Sequence, residues 1–121
     1  MTPQEIQERN SNIALMLGWK KHNHGSYHTW TNDKSIYHIY DSILQFHSDW
    51  NWLMESVEFI EKLGYESLLG GGEYYYPEKD RRYIQHFIKE DEVIYHESKN
   101  KIEAVFVAVS DFAKLYNERK L

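Results

Sequence analysis

Ile102-Glu103-Ala104-Val105-Phe106-Val107-Ala108-Val109-Ser110-Asp111-Phe112-Ala113-Lys114-Leu115-Tyr116 is the stretch that decides the fold of this chain. Ile102, Val105, Phe106, Val109, Phe112, Ala113 and Tyr116 recur at three- and four-residue steps, which puts all seven side chains on one stripe of a helix. A stripe of that kind must be buried against something, so the spacing predicts a closing helix and a layer to receive it. Ser98 or Asn100 caps it, and Asn100 and Glu103 stand at capping-box spacing.

Upstream of that helix, Arg82–Ile88 and Val93–Glu97 read as a hairpin around Lys89-Glu90-Asp91-Glu92. Tyr65–Leu69 reads as a strand, Gly70-Gly71-Gly72 as a flexible loop, and Tyr74–Tyr76 as extended chain before Pro77. A second helix is predicted from Trp50 to about Leu63, capped by Ser48-Asp49 and stopped by Gly64. Trp50, Leu53, Met54, Val57 and Ile60 form one stripe on it, and Trp52, Phe59 and Leu63 a second. A helix so apolar is either sandwiched deeply, the favoured reading, or leaves hydrophobic surface for a partner.

Between Trp19 and Phe46 the pattern is extended. Tyr27, Trp30, Ile36, Tyr37, Ile39 and Tyr40 favour two or three antiparallel strands, with a turn at Thr31-Asn32-Asp33-Lys34 and an irregular or edge segment at His22–Ser26. At the start, Thr2 as N-cap, Pro3 at the first helical position and Glu5 three residues after the cap open a first helix. Ile6, Ile13, Leu15, Met16 and Leu17 are its apolar residues, Gly18 ends it, and Trp19 packs back beneath that end. The fold class is therefore α+β in a single domain, residues 1–121. An antiparallel sheet is packed with three helices in an α/β/α-type layered sandwich, in the order α-β-β-(β)-α-β-β-β-α.

Composition narrows the possible roles. A length of 121 residues suits one domain, and 41% hydrophobic with 27% charged residues marks a globular chain rather than a disordered one. Ten Tyr and four Trp supply amphipathic rings for a small core or a binding surface. Cysteine is absent, which excludes disulfides, thiolate metal sites and cysteine nucleophiles and fits a reducing cytoplasm. The opening Met-Thr-Pro-Gln-Glu is not a signal peptide, and no apolar run is long enough to span a bilayer, so a location in the host-cell cytoplasm is expected. A net charge of -5 lacks the electrostatic footprint of a free nucleic-acid binder, so no direct binding of free nucleic acid and no membrane contact are expected. Acidic patches could instead meet a basic partner.

Candidate chemistry is sparse. His22, His24 and His28 lie close together, and His22 and His24 would share a strand face. Zinc needs three or four converging ligands, and Gly25-Ser26 interrupts helical pairing of His24 with His28, so solvent-facing imidazoles on an edge are the better reading. His38, His47, His86 and His96 read as scattered singles. Glu55, Glu58 and Glu61 could pair for acid–base work but read as the solvated face of the second helix. Ser26, Ser35 and Ser48 lack a nucleophile-elbow setting, and the triple glycine lacks the Lys-Ser/Thr of a phosphate loop. No catalytic residue, metal ligand or cofactor is assigned.

The segment Glu73-Tyr74-Tyr75-Tyr76-Pro77-Glu78-Lys79-Asp80-Arg81-Arg82-Tyr83 draws most interest. Successive strand side chains alternate faces, so at least one tyrosine should be exposed beside Arg81 and Arg82, a pairing common at interfaces. Tyr74, Tyr75, Tyr76, Arg81 and Arg82, with the acidic loop Glu90, Asp91 and Glu92, are the predicted partner-binding residues. The alternative is a strand edge whose outer ring covers a neighbouring helix.

Ile13-Ala14-Leu15-Met16-Leu17-Gly18-Trp19 resembles the helix-then-Met-Gly-Trp opening of the phage ABA sandwich domain family. Ser48-Asp49-Trp50 is similar to that family's second block, and Glu97-Ser98 with the helix Ile102–Tyr116 to its last. Val and Phe stand in the last helix where the family favours Ala. The resemblance implies a sheet layered between helices and an origin in a phage or mobile element, and it brings no active site with it. It leads to the expectation of a non-enzymatic binding protein that interferes with a host protein or ribonucleoprotein effector, as an anti-CRISPR does. The alternatives are a protein that sequesters a nucleotide signal and a metal-dependent hydrolase using His22, His24 and His28.

Overall fold

The computed structural model describes residues 1–33, 35–71 and 82–119, which run as helix, three strands, helix, three strands, helix. Helix α1 (Pro3–Met16) begins as its capping residues dictate: the Thr2 hydroxyl accepts the Glu5 N–H at 3.1 Å, and Pro3 needs no partner for a missing N–H. It ends where Gly18 turns left-handed at φ 84°, a conformation that a Cβ disfavours. Trp19 then folds back, its N–H donating to the Ala14 carbonyl at 3.0 Å and its ring meeting Phe46 at 5.4 Å and Trp52 at 5.7 Å.

Helix α2 (Trp50–Lys62) is capped by Asp49, whose carboxylate accepts the N–H of Asn51 at 2.8 Å and of Trp52 at 3.3 Å. Helix α3 (Lys101–Arg119) uses both residues that could cap it. Asn100 Oδ1 accepts the Glu103 N–H at 3.1 Å, while the Ser98 hydroxyl donates to Glu103 Oε2 at 3.1 Å and accepts the Asn100 N–H. Among the described residues no helix is long and apolar enough to cross a membrane.

Strands β1 (Lys20–Asn23), β2 (His28–Asn32) and β3 (Ser35–Tyr40) form one antiparallel meander. Strands β4 (Glu66–Gly71), β5 (Tyr83–Lys89) and β6 (Glu92–Ser98) form another. The α+β class and the alternation of elements are as the sequence predicts, with the strands divided between two sheets. Gly70 and Gly71, expected in a loop, instead pair with Ile84 and Tyr83 at the end of β4. The backbones approach so closely there that a Cβ on Gly71 (φ 112°) would collide with the Arg82 carbonyl oxygen.

The centre of the molecule is α3. Every residue from Ala104 to Ser110 is buried, so the helix is enclosed beyond the stripe that its spacing marks. Off-stripe Ala104, Val107, Ala108 and Ser110 are small, which lets neighbours come close all round. On one side α1 packs against it, with Arg9 donating to Ser110 Oγ at 2.9 Å and to Asp111 Oδ1 at 2.7 Å. On the other side Phe112 meets Tyr65 at 4.8 Å and Phe87 of β5 at 6.1 Å. Helix α2 buries Leu53, Val57 and Ile60, half-buries Trp52, Phe59 and Leu63, and leaves Trp50 and Glu55, Glu58 and Glu61 exposed.

Candidate functional site

With α3 under one face of the β4-β5-β6 sheet, that sheet's strand alternation sets what the other face presents. Phe87, Gln85 and Ile94 point inward and are buried. The register then lines up three rows across the outer face: Glu66, Ile88 and Val93; Leu68, His86 and Tyr95; Gly70, Ile84 and Glu97. Leu68 is 44% exposed, Val93 50% and Tyr95 63%, while Ile84, His86 and Ile88 are half-buried among them. His86 and Tyr95 stack at 5.7 Å with their planes 27° apart. A contiguous apolar face rimmed by charge is the usual signature of an interaction surface.

Three of the sequence-predicted residues, Arg82, Glu90 and Asp91, lie at the ends of this face. Arg82 stands at the entry to β5 and pairs through Nε with Glu97 Oε1 at 2.6 Å. Glu90 and Asp91 are exposed at the opposite end, on the β5–β6 turn, where Glu90 takes a positive φ of 57°. Glu92 lies one position out of phase with Val93 and turns to the inner side, where it accepts the Tyr65 hydroxyl at 2.8 Å. Tyr74, Tyr75, Tyr76 and Arg81 lie outside the described residues. Sequence reading missed Leu68, Ile84, His86, Ile88, Val93 and Tyr95. Their signal was present in β5, where Tyr83 and Phe87 alternate with Ile84 and Ile88, so that both faces of one strand are apolar.

The first sheet carries a different chemistry. Trp30 is wholly buried on its inner side, and its Nε1–H donates to Asp41 Oδ1 at 2.7 Å. Burial pushes the Asp41 carboxyl up, but bonds from Trp30, Gln7 and Ser11, with Lys21 nearby, outweigh that and hold it below the usual carboxylate range. On the outer side His24 Nε2 and His38 Nδ1 both meet Thr29 Oγ1, at 2.8 and 2.7 Å, and His22 Nε2 meets Thr31 Oγ1 at 2.8 Å. His38 therefore joins His22 and His24, its ring 4.7 Å from that of His22, while His28 points to the opposite face. The grouping of His28 with His22 and His24 is corrected accordingly: residues 28 and 29 alternate across the strand, and β3 brings His38 alongside. Among the described residues no group of three or more His, Asp or Glu side chains is placed to hold a metal ion.

A cleft of about 290 Å³ opens between α2, the inner edge of the second sheet and the start of α3. Trp50, Met54, Val57, Leu69 and Val105 give it apolar walls, and Ser67, Gln85 and Lys101 are its polar groups. Lys101 Nζ sits 5.9 Å from the Trp50 ring centroid. No family model, curated protein or solved structure matches the chain.

Proposed function

We propose that this chain is a binding protein of a phage or mobile element that engages a host protein or ribonucleoprotein effector, in the manner of an anti-CRISPR inhibitor. The observation that carries the reading is the apolar outer face of the β4-β5-β6 sheet, with Leu68, Val93 and Tyr95 exposed on the strands that flank half-buried Ile84 and Ile88. Burying such a face removes apolar surface from water, and Tyr is among the residues enriched at interface hot spots. Glu66, Glu90 and Asp91 crowd one end of it, which suits a partner with a basic rim. The resemblance of residues 13–19, 48–50 and 97–116 to the phage ABA sandwich family supports the setting.

The test is capture from host lysate with tagged wild-type protein and with a Leu68→Glu/Val93→Glu variant, with and without nuclease. A stoichiometric partner held by the wild type and lost by a variant that still melts cooperatively supports the proposal. A partner retained by that variant, or none captured by the wild type, overturns it.

The cleft beneath Trp50 favours a second reading, sequestration of a small anionic ligand such as a nucleotide signal. Among the described residues Lys101 is the one charged group lining it, beside an aromatic wall. A nucleotide screen by thermal shift tests this: a ligand-dependent rise in melting temperature that disappears in Trp50→Ala supports it, and a flat screen sinks it.

A further inference from the structure

The outer face of the β1-β2-β3 sheet is paved with rings. Its central strand contributes only Thr29 and Thr31, and the flanking strands lean over them: the rings of His22 and His38 come within 4.7 Å, and those of His24 and His38 within 6.0 Å. Tyr27 stacks on His24 at 4.9 Å and lies 5.7 Å from Tyr40. Thr29 is buried beneath this layer, yet Tyr27 is 47% and Tyr40 53% exposed, and His24 and His38 are exposed too. The hydroxyls of Thr29 and Thr31 hold the three imidazoles, so the paving is ordered before any partner arrives.

This face does not share the acidic balance of the whole molecule. The chain carries a net charge of -5. The described outer positions of this sheet are nevertheless Lys20, His22, Thr29, Thr31, His38 and Tyr40, none of them a carboxylate. Two acids adjoin the sheet: Asp33, exposed on the β2–β3 turn, lines a pocket with Glu55 and Glu58 of α2, and Asp41 is drawn to the other side by Trp30, Gln7 and Ser11.

We infer that this face binds single-stranded nucleic acid, with bases stacking on Tyr27, Tyr40, His24 and His38 and the phosphate backbone meeting Lys20. Ordered rings on an open sheet suit unpaired bases, whose faces are free, and stacking asks for no particular sequence. A duplex hides its base faces and offers these rings nothing to stack on. The inference is independent of the protein interface proposed above, since it concerns the other sheet.

Fluorescence anisotropy at low salt decides it, using labelled oligo-U and oligo-dT of about a dozen nucleotides and a duplex of equal length, with untagged protein. The expected result is binding of the single strands in preference to the duplex, weakening as salt rises. Tyr40→Ala and His38→Ala should each lower affinity roughly tenfold, and Lys20→Glu should lower it further and flatten the salt dependence, all with melting curves like the wild type's. Tyr37→Ala, on the opposite side of β3, should bind as the wild type does. No anisotropy change with either single strand, equal binding of the duplex, or unchanged affinity in both ring variants overturns the inference. So does capture of a host protein that fails in Tyr40→Ala while no strand binds, because the face would then belong to a protein.

Discussion

Tyr65 donates its hydroxyl to Glu92 Oε2 at 2.8 Å, joining the exit of α2 to the turn end of the β5–β6 hairpin. Lys89 strengthens the same joint, with Nζ 2.9 Å from the Leu63 carbonyl and 5.4 Å from the Tyr65 ring centroid. This bond turns Glu92 inward and leaves Glu90 and Asp91 as the exposed acids of the turn. Burial, and then the Glu92 carboxylate, push the Tyr65 phenol up to about 12. A raised folded-state value means that this contribution to stability is complete below pH 10 and is lost as pH climbs from there toward 12. Tyr65→Phe should cost about 1–2 kcal/mol, lowering the melting temperature by roughly 3–8 °C for a domain of this size. Spectrophotometric titration should lose its highest-pH tyrosine transition in that variant.

Acid should weaken the fold in two stages. Asn10 Nδ2 lies 2.9 Å from His47 Nδ1 and 3.2 Å from the Leu44 carbonyl, so the imidazole nitrogen serves as an acceptor and is unprotonated. Burial lowers the His47 value below its ordinary 6.5. The unfolded chain therefore takes up that proton more readily, and stability falls as pH drops below 6.5 toward the folded value. Asp41, held below 3.8, adds a second loss under more acid conditions as its carboxylate is neutralised. Melting temperature against pH should show both segments, and His47→Gln should flatten the first only.

Gly71→Ala should be among the most disruptive single-atom additions available. At φ 112° an L side chain is strained, and the new Cβ would also stand 2.9 Å from Tyr83 Cα and collide with the Arg82 carbonyl. A loss of roughly 2–4 kcal/mol is expected. Gly18→Ala shares a positive φ of 84° but meets no atom within 4 Å, so it should lose less, about 1–2 kcal/mol. Denaturant unfolding of the two variants side by side checks the order, and equal losses would show that the close approach is not what matters.

Tyr95→Ala separates surface from core. Its ring is 63% exposed and stacked on His86, so stability should change by no more than about 0.5 kcal/mol. If the outer face of the second sheet is the interface, affinity for the captured partner should fall by about thirtyfold or more. Partner titration and a melting curve on the same sample give both numbers. A variant that melts early, or that binds as tightly as the wild type, would falsify the assignment of Tyr95.

Much of the architecture was legible locally. Thr2, Asp49 and Asn100 each accept helix N–H groups, and Gly18 and Gly64 each end a helix with positive φ, as their residue types require. Gly70 and Gly71 misled because a glycine run reads alike as a loop and as a strand in close contact. Only the opposing backbone of Arg82 and Tyr83 distinguishes the two. The site was less legible. Arg82, Glu90 and Asp91 stand out as charged residues, whereas Leu68, Ile84, Ile88 and Val93 look like any core residue until the covering layer is known.

The sequence by itself determined the elements: three capped helices, strands on an alternating pattern, and a last helix with a face that had to be buried. Those are consequences of backbone geometry and of residues within a few positions of each other. Tertiary structure decided which faces remained open. Enclosing α3 between α1 and the second sheet used one face of that sheet and left Leu68, Val93 and Tyr95 in water. Folding β3 beside β2 set His38 against Thr29 and His22, residues 9 and 16 positions away along the chain. Burial and convergence of this kind depend on contacts between distant residues, and local periodicity carries no record of them.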